Sequence, residues 1–228
     1  MKKRSKRYKI LEKKKLKEKL DLNKAFELVK DTSTSKLDES IDVSLKINMK
    51  QTKGGDLNLR TVVKLPNGNG KKDIIAVLCE SEKIDEAKNA GADIVGSEDL
   101  LEKISKGNLN FTKLVCTSAM MSKIGKFGKI LGPKGLMPNP KLGTVSNDLK
   151  KSIHNLKNGL VEIKNDKDGN LALSIGRKSF SKEKLVDNYK YLIDFLKKEK
   201  PETLKGELIK NSYVTSTMGI SYKITTRI

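Results

Sequence analysis

Few residues of this sequence have the types and spacing that catalysis or metal binding requires. The single histidine, His154, supports neither a metal cluster nor a histidine-based triad. Asp166–Gly169 resembles the start of a calcium loop, but Arg177 stands at the twelfth position, where such a loop needs a bidentate Glu. Gly68–Lys71 lacks the glycine spacing and the hydroxyl residue of a phosphate-binding loop. We therefore predict a surface or partly packed histidine, a plain turn after Asn165, no catalytic residue, no metal and no cofactor.

Lysine is the residue type that the sequence does concentrate. Residues 103–147 contain eight lysines and neither Asp nor Glu, so this segment carries a positive potential. Such a potential attracts the phosphate backbone of a nucleic acid. Two Gly-x-x-Gly fragments, 125–128 and 132–135, resemble the backbone clamps of some RNA-binding modules, although most instances of this pattern are ordinary turns.

The run 132–143 within this segment contains three prolines and three glycines. Proline fixes backbone angles and glycine permits close approach, so the composition predicts a stiff loop with little side-chain bulk. Such a loop would present Lys134 and Lys141 to phosphate groups. From physics alone, a rigid connector between domains explains the same composition equally well.

The composition of the whole chain also favours a polyanionic partner. The 228 residues include 48 Lys+Arg and 28 Asp+Glu, a formal net charge of +20. Nucleic acid is favoured over an anionic membrane, because no apolar run approaches the ~20 residues of a membrane span and Trp is absent. The first 20 residues have a net charge of +9, which predicts a basic, partly helical arm rather than a secretory signal.

The two cysteines, Cys79 and Cys116, each end an apolar run. A thiol in that position behaves as a small hydrophobic side chain, so both are predicted to be buried. Two isolated cysteines are typical of a reducing cytoplasm.

The two ends of the chain share one hydrophobic pattern. Apolar–polar alternation at 41–47 predicts a half-buried strand, and closing strands are predicted at 208–215 and 220–226. Further elements are predicted as strands at 61–65, 160–164 and 171–175 and as helices over 22–29, with Asp21 as N-cap, and 181–198. We expect both ends to share one sheet in a discontinuous α+β domain, residues 1–67 and 159–228.

The middle of the chain alternates short strands with helices. Strands are predicted at 74–78, 93–95 and 114–116, and helices over 82–90 and 98–106. This alternation is typical of a parallel sheet covered by helices. The predicted fold class is therefore α/β, with a Rossmann-like domain at 68–158 inserted into the α+β domain.

Two motifs resemble a known family. Lys129–Val145, with the sequence KILGPKGLMPNPKLGTV, closely resembles the motif of the L-one family of stalk proteins of the large ribosomal subunit. Tyr213–Gly219 looks like the Thr-Met-Gly motif near the family's carboxyl end. Smaller agreements lie at 36–40, 91–93 and 165–167, so the resemblance covers essentially the whole chain.

The resemblance implies an RNA-binding protein without enzymatic activity. Its expected role is to bind large-subunit ribosomal RNA, to form the mobile stalk beside the exit site and to assist release of deacylated transfer RNA. Bacterial members also repress translation by binding their own messenger RNA. The implied protein is cytoplasmic, lies on the ribosome beside other ribosomal components, has no membrane partner and is a monomer off the ribosome.

The resemblance also implies which residues contact RNA. Carried over by position, the RNA-binding residues are Lys36, Leu37, Glu39, Ser40, Lys167, Thr215, Thr217, Met218 and Gly219. The stiff, positively charged loop at 132–143 adds Lys134 and Lys141 as predicted secondary contacts. A glycine beside a threonine hydroxyl and an exposed methionine suits shape-based recognition of a ribose edge, whereas core packing is the simpler role for that methionine.

The sequence departs from the family pattern at three positions, and two rival functions stay open. Leu37 replaces an aromatic residue, Ile220 replaces a usual proline, and Asn211 stands where Ser is frequent. The rivals are a basic Rossmann-like enzyme acting on nucleotides or RNA and a nucleic-acid chaperone without a preferred site.

Overall fold

The computed structural model describes residues 5–16, 18–48, 59–200 and 206–225. In chain order its helices and strands are α1 (Lys6–Lys13), α2 (Leu22–Thr32), β1 (Ser40–Ile47), β2 (Arg60–Lys64), β3 (Ile75–Leu78), α3 (Ile84–Asn89), β4 (Ile94–Gly96), α4 (Glu98–Ser105), β5 (Lys113–Cys116), α5 (Ser118–Gly125), α6 (Gly128–Leu131), α7 (Leu149–Lys157), β6 (Leu160–Lys164), β7 (Asn170–Arg177), α8 (Lys182–Lys198), β8 (Ile209–Ser216) and β9 (Tyr222–Ile224). Short 3-10 helices occur at Ser81–Lys83 and Pro140–Leu142. The predicted mixed α/β fold class is confirmed.

The chain divides into two compact units. The discontinuous unit comprises Met1–Gly70 and Val161–Ile228, and the inserted unit comprises Lys71–Leu160. The discontinuous unit has one hydrophobic core, and the inserted unit has two, one on each face of its sheet. Strands β2 and β6 form a separate two-stranded sheet.

The discontinuous unit contains a four-stranded sheet of order β7-β1-β8-β9. Strand β1 pairs antiparallel with β7 on one side and with β8 on the other. Its side chains alternate between buried and less buried positions because successive residues of a strand point to opposite faces. The two ends of the chain therefore share one sheet, as the alternation at 41–47 predicted. The closing strand predicted at 220–226 extends from Tyr222 to Ile224, and Thr226 lies outside the described residues.

Helices α2 and α8 pack against this sheet and against each other. Phe26 of α2 and Tyr189 of α8 form an edge-to-face pair with ring centroids 6.0 Å apart, an arrangement that adds about 0.5–1.5 kcal/mol to area burial. The Tyr189 hydroxyl donates a 2.8 Å hydrogen bond to Ser212 Oγ of β8. Asp21 occupies the predicted N-cap of α2, but its carboxylate makes no capping hydrogen bond.

The inserted unit contains a three-stranded parallel sheet of order β4-β3-β5. Alternate residues of β3 enter separate cores on opposite faces, so Ala76 and Leu78 pack in one and Ile75 and Val77 in the other. Residues of α4, α5 and α6 belong to the first core and residues of α3 and α7 to the second. This arrangement matches the predicted parallel sheet covered by helices.

The two cysteines are buried in the inserted unit, as their apolar neighbours predicted. Burial raises the pKa of the Cys116 thiol to about 11 and raises the pKa of Cys79 as well. Both thiols are therefore protonated at neutral pH and act as small hydrophobic side chains.

The proline- and glycine-rich loop of the inserted unit is tied to the end of β5. Asn139 donates its backbone N–H to Thr144 Oγ1 at 2.8 Å, and the Thr144 carbonyl accepts the Cys116 N–H at 3.0 Å. Gly125 ends α5 and Gly128 begins α6, so the first Gly-x-x-Gly fragment is the junction between these two helices. Neither helix was predicted from the sequence.

The residues first considered for chemistry have ordinary structural surroundings. His154 is exposed on α7. The Asp166 carboxylate accepts hydrogen bonds from the side chain and backbone of Asn170, which hold the pKa of Asp166 below its ordinary value and close the predicted turn. Within residues 5–16, 18–48, 59–200 and 206–225, no three His, Cys, Asp or Glu side chains are grouped to hold a metal ion. Among the helices of the same residues, none is both long and apolar enough to cross a membrane.

Candidate nucleic-acid interface

Three chain segments meet at one end of the four-stranded sheet. Strand pairing places Ser40 beside Arg177 and Ile41 beside Ser216, so β1 begins where β7 and β8 end. The residues that precede β1 therefore lie next to the turn that follows β8. We call the surface formed by 33–40 and 215–219 the sheet-end surface.

The Glu39 carboxylate joins these two segments from beneath. Its Oε1 accepts the Ser35 backbone N–H at 3.0 Å, and its Oε2 accepts the Met218 backbone N–H at 3.0 Å. Only 3% of Glu39 is exposed. The carboxylate is therefore engaged inside the protein, and the predicted RNA contact of Glu39 is not available in this arrangement.

The environment of Glu39 favours its charged form. Burial alone would raise the pKa of the carboxyl group, because it penalises the charge. The hydrogen bond from the Met218 N–H, together with the Ser216 hydroxyl, the Ser35 N–H and the Ser33 hydroxyl, outweighs burial and lowers the pKa below its ordinary value. Glu39 is thus a fixed anion around which the sheet-end surface is built.

Thr217 and Gly219 define the turn after β8. The Thr217 hydroxyl lies 3.1 Å from Ser40 N, whose N–H it accepts, and 3.3 Å from Ser40 O. The Thr217 N–H donates to that carbonyl at 3.1 Å. A Cβ at Gly219 would lie 2.3 Å from Ser216 Oγ, so a side chain there would displace either the turn or the serine hydroxyl.

The chain that follows β7 also holds the segment before β1. Lys178 donates its Nζ hydrogen to the Ser33 carbonyl and its backbone N–H to the Glu39 carbonyl. Ser179 donates from its backbone and hydroxyl to the two Asp38 carboxylate oxygens, at 3.0 and 2.9 Å. The segment 33–40 is therefore fixed from both neighbouring strands.

The side chains that face solvent on this fixed surface are partly apolar. Leu37 is 74% exposed and Met218 is 53% exposed. Lys36 and Thr217 are exposed beside them. Because Met218 is exposed, the core-packing role for this residue is excluded.

The structure brings together most of the predicted RNA-binding residues. Those at the sheet-end surface are Lys36, Leu37, Glu39, Ser40, Thr215, Thr217, Met218 and Gly219. Lys167 is not among them, since it lies in the turn beside Lys46 and Ile47, at the opposite end of β1 and about 20 Å away. Lys134 and Lys141 are exposed in the inserted unit.

Three residues that hold the sheet-end surface were not predicted from the sequence, because they lie outside the motifs that indicated the family. Arg7 of α1 donates to Thr34 Oγ1 at 2.9 Å and to the Met218 carbonyl at 2.7 Å. Lys178 and Ser179 make the contacts described above. Arg7 is one of eleven cations in the first 20 residues, and nothing in its local sequence distinguishes it from the others.

The sheet-end surface thus belongs to a discontinuous unit that is interrupted by a second unit with a parallel sheet. The chain belongs to the Ribosomal protein L1p/L10e family, whose sequence model matches residues 29–220. This result confirms the resemblance predicted from the two motifs. It also agrees with the prediction that the chain is not an enzyme, because the family description is that of ribosomal proteins.

Three relatives illustrate the similarity. The large ribosomal subunit protein uL1 of Pelagibacter ubique (strain HTCC1062) is 58% identical over 197 residues, 86% of this chain and 86% of the relative. The uL1 protein of Thermosipho melanesiensis is 45% identical, with 90% of this chain and 88% of the relative covered. The uL1 protein of Mycoplasma capricolum subsp. capricolum is 46% identical, with 89% of each chain covered.

Proposed function

We propose that this chain is a structural component of the large ribosomal subunit and binds ribosomal RNA through the sheet-end surface. One observation carries the proposal. Residues 36–40 and 215–219, which are 175 or more positions apart in sequence, form one rigid, partly apolar surface with Lys36, Leu37 and Met218 exposed on it.

The chemistry of this surface suits a folded RNA better than a bare phosphate backbone. A duplex or folded RNA presents ribose hydroxyls and sugar edges in a wide, shallow minor groove. Met218 and Leu37 offer apolar contact to sugars, Lys36 offers a cation to phosphate, and the bare backbone at Gly219 permits close approach. The net charge of +20 adds attraction that does not depend on sequence.

The two units have different roles in this proposal. The discontinuous unit is the principal RNA-binding domain. The inserted unit makes secondary contacts through Lys134 and Lys141, which a loop tied to β5 presents to solvent. Lys167, at the other end of β1, contributes at most a separate contact.

We also propose a finer role, which family membership and the chemistry of this surface support. The protein forms the mobile stalk beside the exit site of the cytoplasmic ribosome and assists the release of deacylated transfer RNA. It also represses translation of its own messenger RNA, when that RNA displays a site with the same shape as the ribosomal one. Both activities use the sheet-end surface and require no catalysis.

The primary test is a binding titration across a salt series. The purified protein is titrated with stalk ribosomal RNA, a scrambled RNA of equal length and duplex DNA. We expect the stalk RNA to bind at least about 10³-fold more tightly than the other two, the lower range of specific nucleic-acid recognition. Equal affinity for all three would instead support a chaperone without a preferred site, and robust turnover of nucleotides or RNA would support an enzyme.

A substitution at Met218 locates the binding surface. Met218→Ala removes an exposed apolar side chain and should weaken specific binding about tenfold, the value of partly burying such a group, with an unchanged melting temperature. Tyr191→Ala is the matched control, because Tyr191 is 45% exposed in the same unit but lies on α8. An equal loss in both variants would place the RNA elsewhere.

Thr217→Ala provides a second measurement at the same turn. It removes the hydroxyl that contacts the Ser40 peptide, so we expect weaker specific binding while the protein stays folded. A strongly lowered melting temperature would assign Thr217 to packing rather than to recognition.

A further inference from the structure

Arg7 joins the two segments of the sheet-end surface from the solvent side. Its Nη1 donates to Thr34 Oγ1 in the segment before β1, and its Nη2 donates to the carbonyl of Met218 in the turn after β8. Met218 lies 211 positions further along the chain. A single side chain of the basic arm thus joins both segments that the proposed function assigns to RNA.

Glu39 joins the same two segments from the buried side. It accepts the N–H of Ser35, next to Thr34, and the N–H of Met218. The N–H and the C=O of Met218 are therefore held by opposite charges on opposite sides of the turn. We call this arrangement the Arg7–Glu39 clamp.

The position of Arg7 is fixed by the docking of α1. Ser5 caps the helix by accepting the Tyr8 N–H on its hydroxyl at 3.3 Å. Leu11 is 3% exposed in the core of the discontinuous unit, and Tyr8 packs against that core. A groove of about 400 Å³ runs between α1 and the turn, lined by Ser5, Arg7, Tyr8, Thr217, Met218 and Gly219. This part of the arm is consequently a fixed element of the surface.

We propose that Arg7 is a positioning residue for RNA recognition: through the Arg7–Glu39 clamp it holds Met218 in the orientation that RNA meets. This inference rests on the proposed function. Pre-organisation increases affinity because the turn is then already ordered before RNA binds. Arg7 precedes residues 29–220, the stretch that matches the family model.

A direct phosphate contact by Arg7 is the competing explanation, and the chemistry of arginine separates the two. The planar guanidinium reaches two acceptors at once, whereas a lysine ammonium on a flexible stem acts as a point charge. Arg7→Lys therefore keeps the charge that a phosphate would recognise and loses the double hydrogen bond of the clamp.

The experiment compares Arg7→Lys, Arg7→Ala and Lys9→Ala in the full-length protein, with stalk RNA and with duplex DNA. Lys9 is the matched control, because it is an exposed cation on the same helix. We expect Arg7→Lys and Arg7→Ala each to weaken stalk-RNA binding about tenfold, the scale of one charge-assisted hydrogen bond. Arg7→Lys should bind duplex DNA as the wild type does. Lys9→Ala should lose less than about twofold and lower the salt slope slightly.

The possible outcomes are distinguishable. If the wild type does not prefer stalk RNA, the proposed function itself fails. If the wild type prefers it and Arg7→Lys binds as tightly as the wild type, the charge of Arg7 is sufficient and the positioning role is overturned. If Arg7→Ala and Lys9→Ala lose equal affinity for stalk RNA, the positioning role of Arg7 is likewise overturned.

Thr34→Val and hydrogen exchange test the clamp without relying on RNA affinity alone. Thr34 is exposed, so replacing its hydroxyl with a methyl group removes one acceptor of Arg7 without opening the core. When Arg7→Lys and Thr34→Val are combined, their losses of stalk-RNA affinity should be less than additive, because both substitutions remove the same hydrogen bond between Arg7 and Thr34. The Met218 amide should exchange faster in Arg7→Lys while the core amide of Tyr189 exchanges as in the wild type. Additive losses or an unchanged Met218 amide would contradict the clamp.

Discussion

At the scale of single residues, Glu39 shows how a charged side chain can determine a binding surface without lying on it. Its two oxygens accept N–H groups from Ser35 and Met218, and it is almost fully buried. A buried carboxylate left without such donors would be costly, so the charge and the backbone geometry of the turn stabilise each other. Loss of the Glu39 charge should therefore disturb the turn after β8, and distortion of that turn should destabilise the charge.

This coupling predicts a pH-dependent stability. The folded protein lowers the pKa of Glu39 below its ordinary value of 4.5, so the ionised form favours the folded state. The resulting stabilisation is complete above about pH 4.5 and decreases as the pH falls through the folded pKa. Glu39→Gln should lower the free energy of unfolding by about 1–3 kcal/mol at pH 7, because one N–H donor then faces an amide N–H₂. The difference between variant and wild type should shrink below pH 4.5, as measured by denaturant unfolding at several pH values.

Glu183→Gln is the control for this measurement. Glu183 is exposed in the first turn of α8, where hydrogen bonds to backbone and Ser181 lower its pKa as well. Because solvent screens the interactions of an exposed carboxylate, Glu183→Gln should change the free energy of unfolding much less than Glu39→Gln does. A difference between Glu39→Gln and wild type that does not change with pH would contradict the role of the ionised carboxylate.

At the scale of secondary-structure elements, helix α1 has two distinct faces. Leu11 is buried in the core, whereas the adjacent Ile10 is 62% exposed. The helix has one buried anchor and is otherwise strongly basic, so its docking depends on that anchor. Arg7 reaches the sheet-end surface only when α1 is docked.

This dependence predicts that Leu11→Ala releases the arm. The substitution should weaken stalk-RNA binding about tenfold, as the loss of the Arg7 contacts does. It should also make the lysines of α1 more accessible to trypsin. Ile10→Ala removes a similar side chain from the exposed face and should change neither property. Equal effects of both substitutions would show that α1 contributes helical propensity rather than a docked position.

The elements that the sequence predicted best are those with a strict period. Alternation at 41–47 identified β1, because a strand buried on one face alternates apolar and polar residues. The apolar run at 74–78 identified β3, because a strand buried on both faces is apolar throughout. Helices α5 and α6 left no comparable trace, since prolines and glycines nearby indicated a loop. Helix α2 extends three residues beyond the predicted end at Val29, to Thr32, whose hydroxyl donates a hydrogen bond to the Leu28 carbonyl of the same helix.

At the scale of the whole molecule, motif resemblance selected most residues of the sheet-end surface but did not predict how that surface is held together. Lys167 was grouped with the sheet-end residues by resemblance, although the strand register places it at the far end of β1. Glu39 was expected to contact RNA and is buried instead. The Arg7 contact spans 211 positions, and no local pattern encodes a pairing over that separation.

Charge is distributed unevenly within the inserted unit. Residues 80–102 contain eight Asp+Glu and two lysines, whereas residues 103–147 contain eight lysines and no carboxylate. The acidic stretch includes α3 and α4 and the edge strand β4, and the basic stretch includes α5 and the edge strand β5. The β4 edge of the sheet therefore belongs to an acidic stretch and the β5 edge to a basic stretch, and the proposed RNA contact of Lys134 and Lys141 lies in the basic stretch.

This uneven distribution predicts that the contribution of a lysine to RNA binding depends on its position in the inserted unit as well as on its charge. Lys134→Ala with Lys141→Ala removes two exposed cations from the basic stretch. Lys83→Ala with Lys88→Ala removes one partly buried and one exposed cation from the acidic stretch of the same unit, so the net charge falls equally. If the loop contacts phosphates, the first pair should lower the salt slope of stalk-RNA binding by about 2, and the second should leave it unchanged. Filter-binding titrations between low and physiological salt measure both slopes. Identical slopes for the two double variants would show that the inserted unit contributes only net charge, and that binding is confined to the discontinuous unit.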